Sequence, residues 1–228
     1  KRQALVQTNL PQNAELKSLG EHLLRDLTFP ETIHLLTHPD LPENTEPLSS
    51  LSTFKHNFPS QLSEFIGREN ELEAVKEHLD RSRLVTLVGP GGTGKSRLAL
   101  QAAADLLDAF PDGAWMVELA SVTDPALISE RAASIFNFQG RPGQPTLEGL
   151  STYLRRKKLL LILDNVEHLV QECAVIANRL LQDCPDIRIL VTGREALFIP
   201  GEATLQIHSL DLPDENANEP AEIAKSDA

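Results

Sequence analysis

The sequence predicts an α/β fold, a parallel sheet with helices on both faces, and three observations carry that expectation. The apolar runs Arg83–Val88 (RLVTLV), Leu159–Leu163 (LLLIL) and Ile187–Thr192 (IRILVT) lack a regular polar alternation, as strands buried on both faces do. They are separated by segments of helical spacing, not by hairpin turns, which is the pattern of strands joined by crossover helices. The first of them also runs straight into the glycine-rich turn Gly89–Ser96, which opens an amphipathic helix.

Taken in order, the elements begin with Ala14–His38. Its short runs ELKSL and TIHLL, punctuated by Gly20 and Pro30, suggest two or three strands, too few to hold a core alone. Residues 39–60 are rich in Pro and Ser without usable periodicity and read as a linker. From 61 to 210 strands and helices alternate. Helical spacing runs from Gly67 to Leu79, followed by the strand Arg83–Val88 and a helix over Lys95–Leu107. A strand at Trp115–Leu119 precedes helices at about Pro125–Phe136 and Thr146–Arg155. The strand Leu159–Leu163 ends at Asp164, a helix covers Val170–Asp183, and strands follow at Ile187–Thr192 and Thr204–Ile207. The tail 211–228 is acidic and polar and reads as mobile.

Bulk properties narrow the function. Apolar residues form 41% and charged residues 24% of 228, an ordinary balance for a globular protein. With 33 acidic against 21 basic side chains the net charge is −12, which disfavours a nucleic-acid or membrane-surface binder. The basic cluster Arg155–Lys158 reads as the solvated end of a helix. Two cysteines, Cys173 and Cys184, share an apolar-periodic segment, so reduced buried thiols and a cytoplasmic setting are expected. No apolar stretch approaches a membrane span.

The chemistry concentrates in Gly89, Pro90, Gly91, Gly92, Thr93, Gly94, Lys95 and Ser96, a GxxxxGK[ST] motif between a strand and a helix. Glycines let backbone N–H groups wrap a dense anion, and the helix start adds its positive dipole end. Lys95 supplies a point charge to the β- and γ-phosphates and Ser96 a hydroxyl ligand for Mg²⁺, with Arg97 following among the nucleotide contacts. Asp164, at the end of an apolar strand, stands where a Walker B acid would hold Mg²⁺; a strand-ending Asp in a turn is the plainer alternative. The next residue is Asn165, not a second acid. Glu167 is a candidate base for hydrolysis, with His168 behind it, and both also fit a solvated helix start. Arg194, in Thr-Gly-Arg after the strand Ile187–Thr192, is a candidate to answer a γ-phosphate, and a merely solvated arginine is the plainer alternative. Ile66, Gly67 and Arg68 form either an adenine contact or the staple that starts a helix.

Together these boxes resemble the STAND class of signalling ATPases, relatives of the NB-ARC and AP-ATPase families. The likeness rests on FIGRENEL (65–72), GPGGTGKS (89–96), LLLILDNVEH (159–168) and ILVTGREAL (189–197), and spans about 57–210. More narrowly the chain is similar to bacterial ATPases found in LuxR-type regulators or behind class III adenylate/guanylate cyclase domains. LGEHLLRDLTFPETIHLL (19–36) resembles the last strands of such a cyclase, so residues 1–38 are expected to be its incomplete end. The resemblance implies a five-stranded P-loop NTPase sheet in the order 5-1-4-3-2, ATP or ADP with Mg²⁺ as ligands, and slow hydrolysis serving as a switch. It also implies self-association or partner domains in a longer regulator. The helical and winged-helix domains of that class, and the metal-binding aspartates of a cyclase, are not found in these residues, so no cyclase activity is expected here.

Three other readings stand beside the switch. An AAA+-like motor needs a competent base, and Asn165 counts against it while Glu167 keeps it open. A small-molecule kinase needs an arginine-bearing lid, and no such insertion is present. Direct DNA binding is disfavoured by the charge. A further alternative is a bifunctional cyclase/ATPase in which this piece only binds nucleotide.

Overall fold

The computed structural model describes residues 13–22, 31–39, 41, 55–59, 65, 67–140 and 146–209. The chain divides into two units, one containing residues 1–54 and 60–64, the other 55–59 and 65–228.

In the first unit, β1 (Glu15–His22) pairs antiparallel with β2 (Glu31–Thr37), and the register shifts between Ser18 and Gly20. Two strands thus account for the described part of the alternating segment. Of the proline- and serine-rich stretch that follows, most lies outside the described residues, as does the acidic tail.

The second unit holds a five-stranded parallel sheet. Its strands are β3 (Leu84–Val88), β4 (Ala114–Glu118), β5 (Leu160–Asp164), β6 (Arg188–Gly193) and β7 (Glu202–Gln206). Their spatial order is β4-β5-β6-β3-β7, which is 5-1-4-3-2 when the five are numbered within this sheet. The helices are α1 (Glu69–Arg81), α2 (Lys95–Asp105), α3 (Leu127–Ile135), α4 (Thr146–Leu154) and α5 (Val170–Asp183). The sequence pattern extends α2 to Leu107, but the backbone tightens there into a 3₁₀ turn over Leu107–Ala109.

Burial explains the order. Every residue of β5 is buried, as befits a strand with neighbours on both sides and helices on both faces, whereas edge strand β7 is only partly covered. Alternate residues of the central strands serve different layers. Leu161, Leu163, Ile189 and Val191 pack with Ile128, Ala132, Leu150, Leu154, Ile176 and Leu180 of α3, α4 and α5. The intervening positions, such as Leu160, Ile162 and Leu190, point to the opposite face, where α1 and α2 meet and α2 packs on β3, β5 and β6. Cys173 and Cys184 lie buried in the α5 layer and form no disulfide. The basic cluster ends α4 as the charge pattern suggests, with Lys157 also paired to Asp112 at 3.1 Å.

The outer edge of β4 is covered by Lys55–Pro59. His56 bridges Ala114 in parallel, Ala114 N–H donates to the Lys55 carbonyl at 3.1 Å, and the Asn57 amide spans Met116. Asn57 Nδ2 donates to Met116 O at 2.8 Å, while Oδ1 accepts Met116 N–H at 2.7 Å. Among the described residues no helix is long and apolar enough to cross a membrane.

Candidate nucleotide site

In-register pairing brings the carboxyl ends of the strands level. Val88 stands opposite Gly193 and Gln206, and Glu118 opposite Asp164. Because β6 lies between β3 and β5, the residues ending it sit between the Gly89–Ser96 loop and Asp164. In open α/β sheets this end is where ligands bind.

The loop is shaped by what surrounds it. A Cβ at Gly89 would lie 2.2 Å from the Ile207 carbonyl oxygen, so the backbone of the loop can pass β7 only with glycine there. Gly94, the N-cap of α2, has φ 81, a conformation costly for any residue with a Cβ. That cap carries no side-chain hydrogen bond, and the first turn of α2 holds no acidic residue. Its amides and dipole are therefore offered to an anion instead of being consumed within the chain. Thr93 steadies the bend by donating its hydroxyl to the Pro90 carbonyl at 3.0 Å.

Lys95 is 8% exposed and its ammonium lies within the loop, donating to the carbonyls of Gly89 at 2.8 Å and Pro90 at 2.6 Å. Burial lowers its pKa; the charge of Glu167 works in the opposite direction, Arg194 lowers it further, and Asp164 raises it. The four charges thus share one electrostatic neighbourhood. Ser96, half-buried in the first turn of α2, carries a hydroxyl and the buried Asp164 a carboxylate, hard oxygen donors of the kind that would suit Mg²⁺. The described residues contain no cluster of three or more His, Cys, Asp or Glu able to hold a metal. A site with one carboxylate and one hydroxyl fits a cation delivered with phosphates, not a metal caged by protein alone.

Asp164 is held by β6. The Thr192 hydroxyl donates to Asp164 Oδ1 at 2.6 Å and accepts the Asn165 N–H at 2.9 Å. Asn165 adopts φ 63, and the chain turns there toward Glu167. Glu167 is occupied: its Oε2 pairs with Arg194 Nε at 2.6 Å. The Arg194 guanidinium also lies against the loop, since a Cβ at Gly91 would be 3.6 Å from its Nη2. His168 donates from Nε2 to the Val122 carbonyl at 2.7 Å, which ties its ring to the loop after β4.

Of the 65–68 box, Ile66 lies outside the described residues. Arg68 takes φ 65 at the N-cap of α1 and is buried, with no side-chain cap bond to the helix. Its Nη2 instead donates to the His208 carbonyl at 2.8 Å, fastening the start of α1 to the chain after β7. The Phe65 ring lies 5.9 Å beneath the Arg97 guanidinium, which joins the box to the first turn of α2. Sequence reasoning passes over Thr192, whose signal is a lone hydroxyl closing an apolar strand. It also passes over Glu202, which accepts from Thr86 Oγ1 at 2.6 Å and from the backbone of Leu197 and Phe198 at 2.8 and 2.7 Å. That carboxylate organises the loop between Arg194 and β7.

A five-stranded parallel sheet with this loop at its carboxyl edge defines a P-loop nucleotide-binding ATPase module. Comparison with known families places it more narrowly: the AAA ATPase domain matches residues 64–183, and the chain belongs to that family. An uncharacterized protein of Mycobacterium tuberculosis is 40% identical over 168 residues, covering 72% of this chain and 42% of that protein. A proposed HTH-type transcriptional regulator of the same organism is 38% identical over 137 residues, covering 60% of this chain and 15% of the regulator. The chain thus spans less than half the length of these curated relatives. Among solved structures, a signal transduction ATPase with numerous domains from Pyrococcus horikoshii, which carries a tetratricopeptide repeat sensor, shares the fold with TM-score 0.50. It is 18% identical, covering 71% of this chain and 27% of that one.

Proposed function

We propose that this chain is the nucleotide-operated switch of a larger, cytoplasmic signalling ATPase of the STAND type, retaining ADP or ATP and hydrolysing ATP slowly. The observation that carries the reading is the Arg194–Glu167 ion pair beside the loop. The cation suited to sensing a γ-phosphate and the acid suited to orienting water are bound to each other, and Asn165 leaves no acid directly after Asp164. Such a site favours holding nucleotide over rapid turnover.

In this reading the loop amides and Lys95 take the β- and γ-phosphates, while Arg97 and the 65–68 box border the base. Ser96 and Asp164 would hold Mg²⁺, which supplies neutralisation of phosphate charge when bound. Arg194 exchanges Glu167 for the γ-phosphate, and Glu167, so released, orients the attacking water. The HTH-type relative supports a regulatory setting, with partner domains or self-association completing the response. Residues 1–38, in which β1 and β2 pair antiparallel, are read as the end of a cyclase-like domain.

Nucleotide retained through purification, slow turnover, and ATP binding weakened about 100-fold in Lys95→Ala are the expected results. Brisk turnover lost in Glu167→Gln would instead identify a motor. Labelled ATP bound equally by wild type and Lys95→Ala would overturn the assignment of the loop.

A further inference from the structure

We propose that Thr192 is a positioning residue that sets the Asp164 carboxylate and the turn carrying Glu167, and does not itself read the phosphate. The inference rests on the reading of Asp164 as the metal-side acid. Thr192 closes β6 between the loop and Asp164, a place from which a hydroxyl could serve either neighbour. Its bonding decides between them. A threonine hydroxyl has one proton, and here it goes to Asp164 Oδ1 at 2.6 Å, a short bond to an ionised acceptor. One lone pair is taken by the Asn165 N–H at 2.9 Å. With its proton committed, the hydroxyl has none to donate to a phosphate oxygen.

The backbone extends the same arrangement. The Thr192 carbonyl accepts Val166 N–H at 3.1 Å, so one residue holds three successive residues: the carboxylate of Asp164, the amide of Asn165 and the amide of Val166. Asn165 is left in a left-handed conformation between those bonds, and Glu167 leaves the turn from there. Thr192 and Asp164 are 28 residues apart, the offset that pairs Leu160 with Arg188 and Leu163 with Val191, so strand register itself delivers the hydroxyl to the acid. Thr192 is 1% exposed, which keeps water from substituting for either partner. With Oδ1 engaged, Asp164 presents Oδ2 as the oxygen for the cation.

The test is the Mg²⁺ dependence of binding a fluorescent ADP analogue by the chain, titrated in EDTA and at increasing Mg²⁺. Thr192→Val keeps the shape and removes the hydroxyl. It is expected to leave affinity in EDTA unchanged and to raise the Mg²⁺ concentration at half-effect about tenfold, the lower end of what losing a partner of a metal ligand costs. Thr192→Ser is expected to restore the wild-type response, which a purely steric role would not predict. A folded Thr192→Val with an unaltered Mg²⁺ response overturns the proposal. Should that variant not fold, Thr192→Ala, which also removes the hydroxyl, replaces it under the same criterion. Asp164→Asn is measured alongside. If it abolishes the Mg²⁺ response while Thr192→Val does not, Thr192 alone is misassigned; if it leaves the response intact, the reading of Asp164 falls too.

Discussion

The Gly89–Ser96 loop takes its form from eight consecutive residues, whereas the chemistry beside it is assembled from the ends of β5 and β6, with Asp164 and Glu167 from one and Thr192 and Arg194 from the other. In the proposed reading, the loop works mainly through backbone amides and one buried lysine. Its neighbour works through side chains that hold one another: Thr192 on Asp164 and Arg194 on Glu167. A loop of the first kind binds any polyphosphate that fits. A cluster of the second kind can change partners, because its interactions are exchangeable. Affinity should therefore reside in the loop, and discrimination between ATP and ADP in the cluster.

The largest effect expected of that division is in Lys95→Ala. Loss of the loop cation should weaken ATP and ADP alike by about 100-fold, the scale of one charge-assisted contact to phosphate. Calorimetry with both nucleotides checks it, and a loss confined to ATP would break the comparison. Arg194→Ala should weaken ATP about tenfold while leaving ADP within error, as measured by competition against a fluorescent analogue. Equal loss for both would make Arg194 part of the general phosphate grip. Glu202→Gln tests whether the loop after β6 is held by that carboxylate; the stability loss in urea should be about 1 kcal/mol, since one accepting oxygen is replaced by a donor facing an amide.

The smallest effect concerns the α5 layer, outside both halves of the site. Burial pushes the Cys173 thiol up to about 12 and Cys184 to about 11, so both stay protonated at pH 8 and should resist iodoacetamide until the chain unfolds. Unfolded thiols titrate near 8.5, so the folded state keeps its protons to higher pH. This contribution to stability is whole below about pH 8.5 and is lost as pH rises through 11 and beyond. Alkylation kinetics with and without denaturant, and urea midpoints from pH 8 to 11, measure both.

The same division governs what was legible in the sequence. Local patterns suffice for the loop, because glycines at fixed spacing between a buried strand and a helix have few other uses, and an unbroken apolar run ending in Asp164 marks a central strand. Side-chain pairing across strands is a tertiary event with no local trace. Nothing in Gly-Arg-Glu says that the exposed Arg194 pairs with Glu167, and Thr192 looks like any strand-ending threonine. The 65–68 box left two readings open for the same reason. Arg68 is buried and anchored to the carbonyl of His208, a partner 140 residues away. Within the proline- and serine-rich stretch, Lys55–Pro59 joins the sheet without apolar periodicity because Asn57 docks through a polar side chain.

That amide has a consequence of its own. By offering one donor and one acceptor to Met116, Asn57 imitates the main chain of a neighbouring strand and closes the ladder where it would otherwise continue. A version of the ATPase unit cut to begin after residue 60 would expose a raw row of amides and carbonyls along β4, and self-assembly through that border would follow. Any shortened form prepared for biochemistry should therefore keep these five residues.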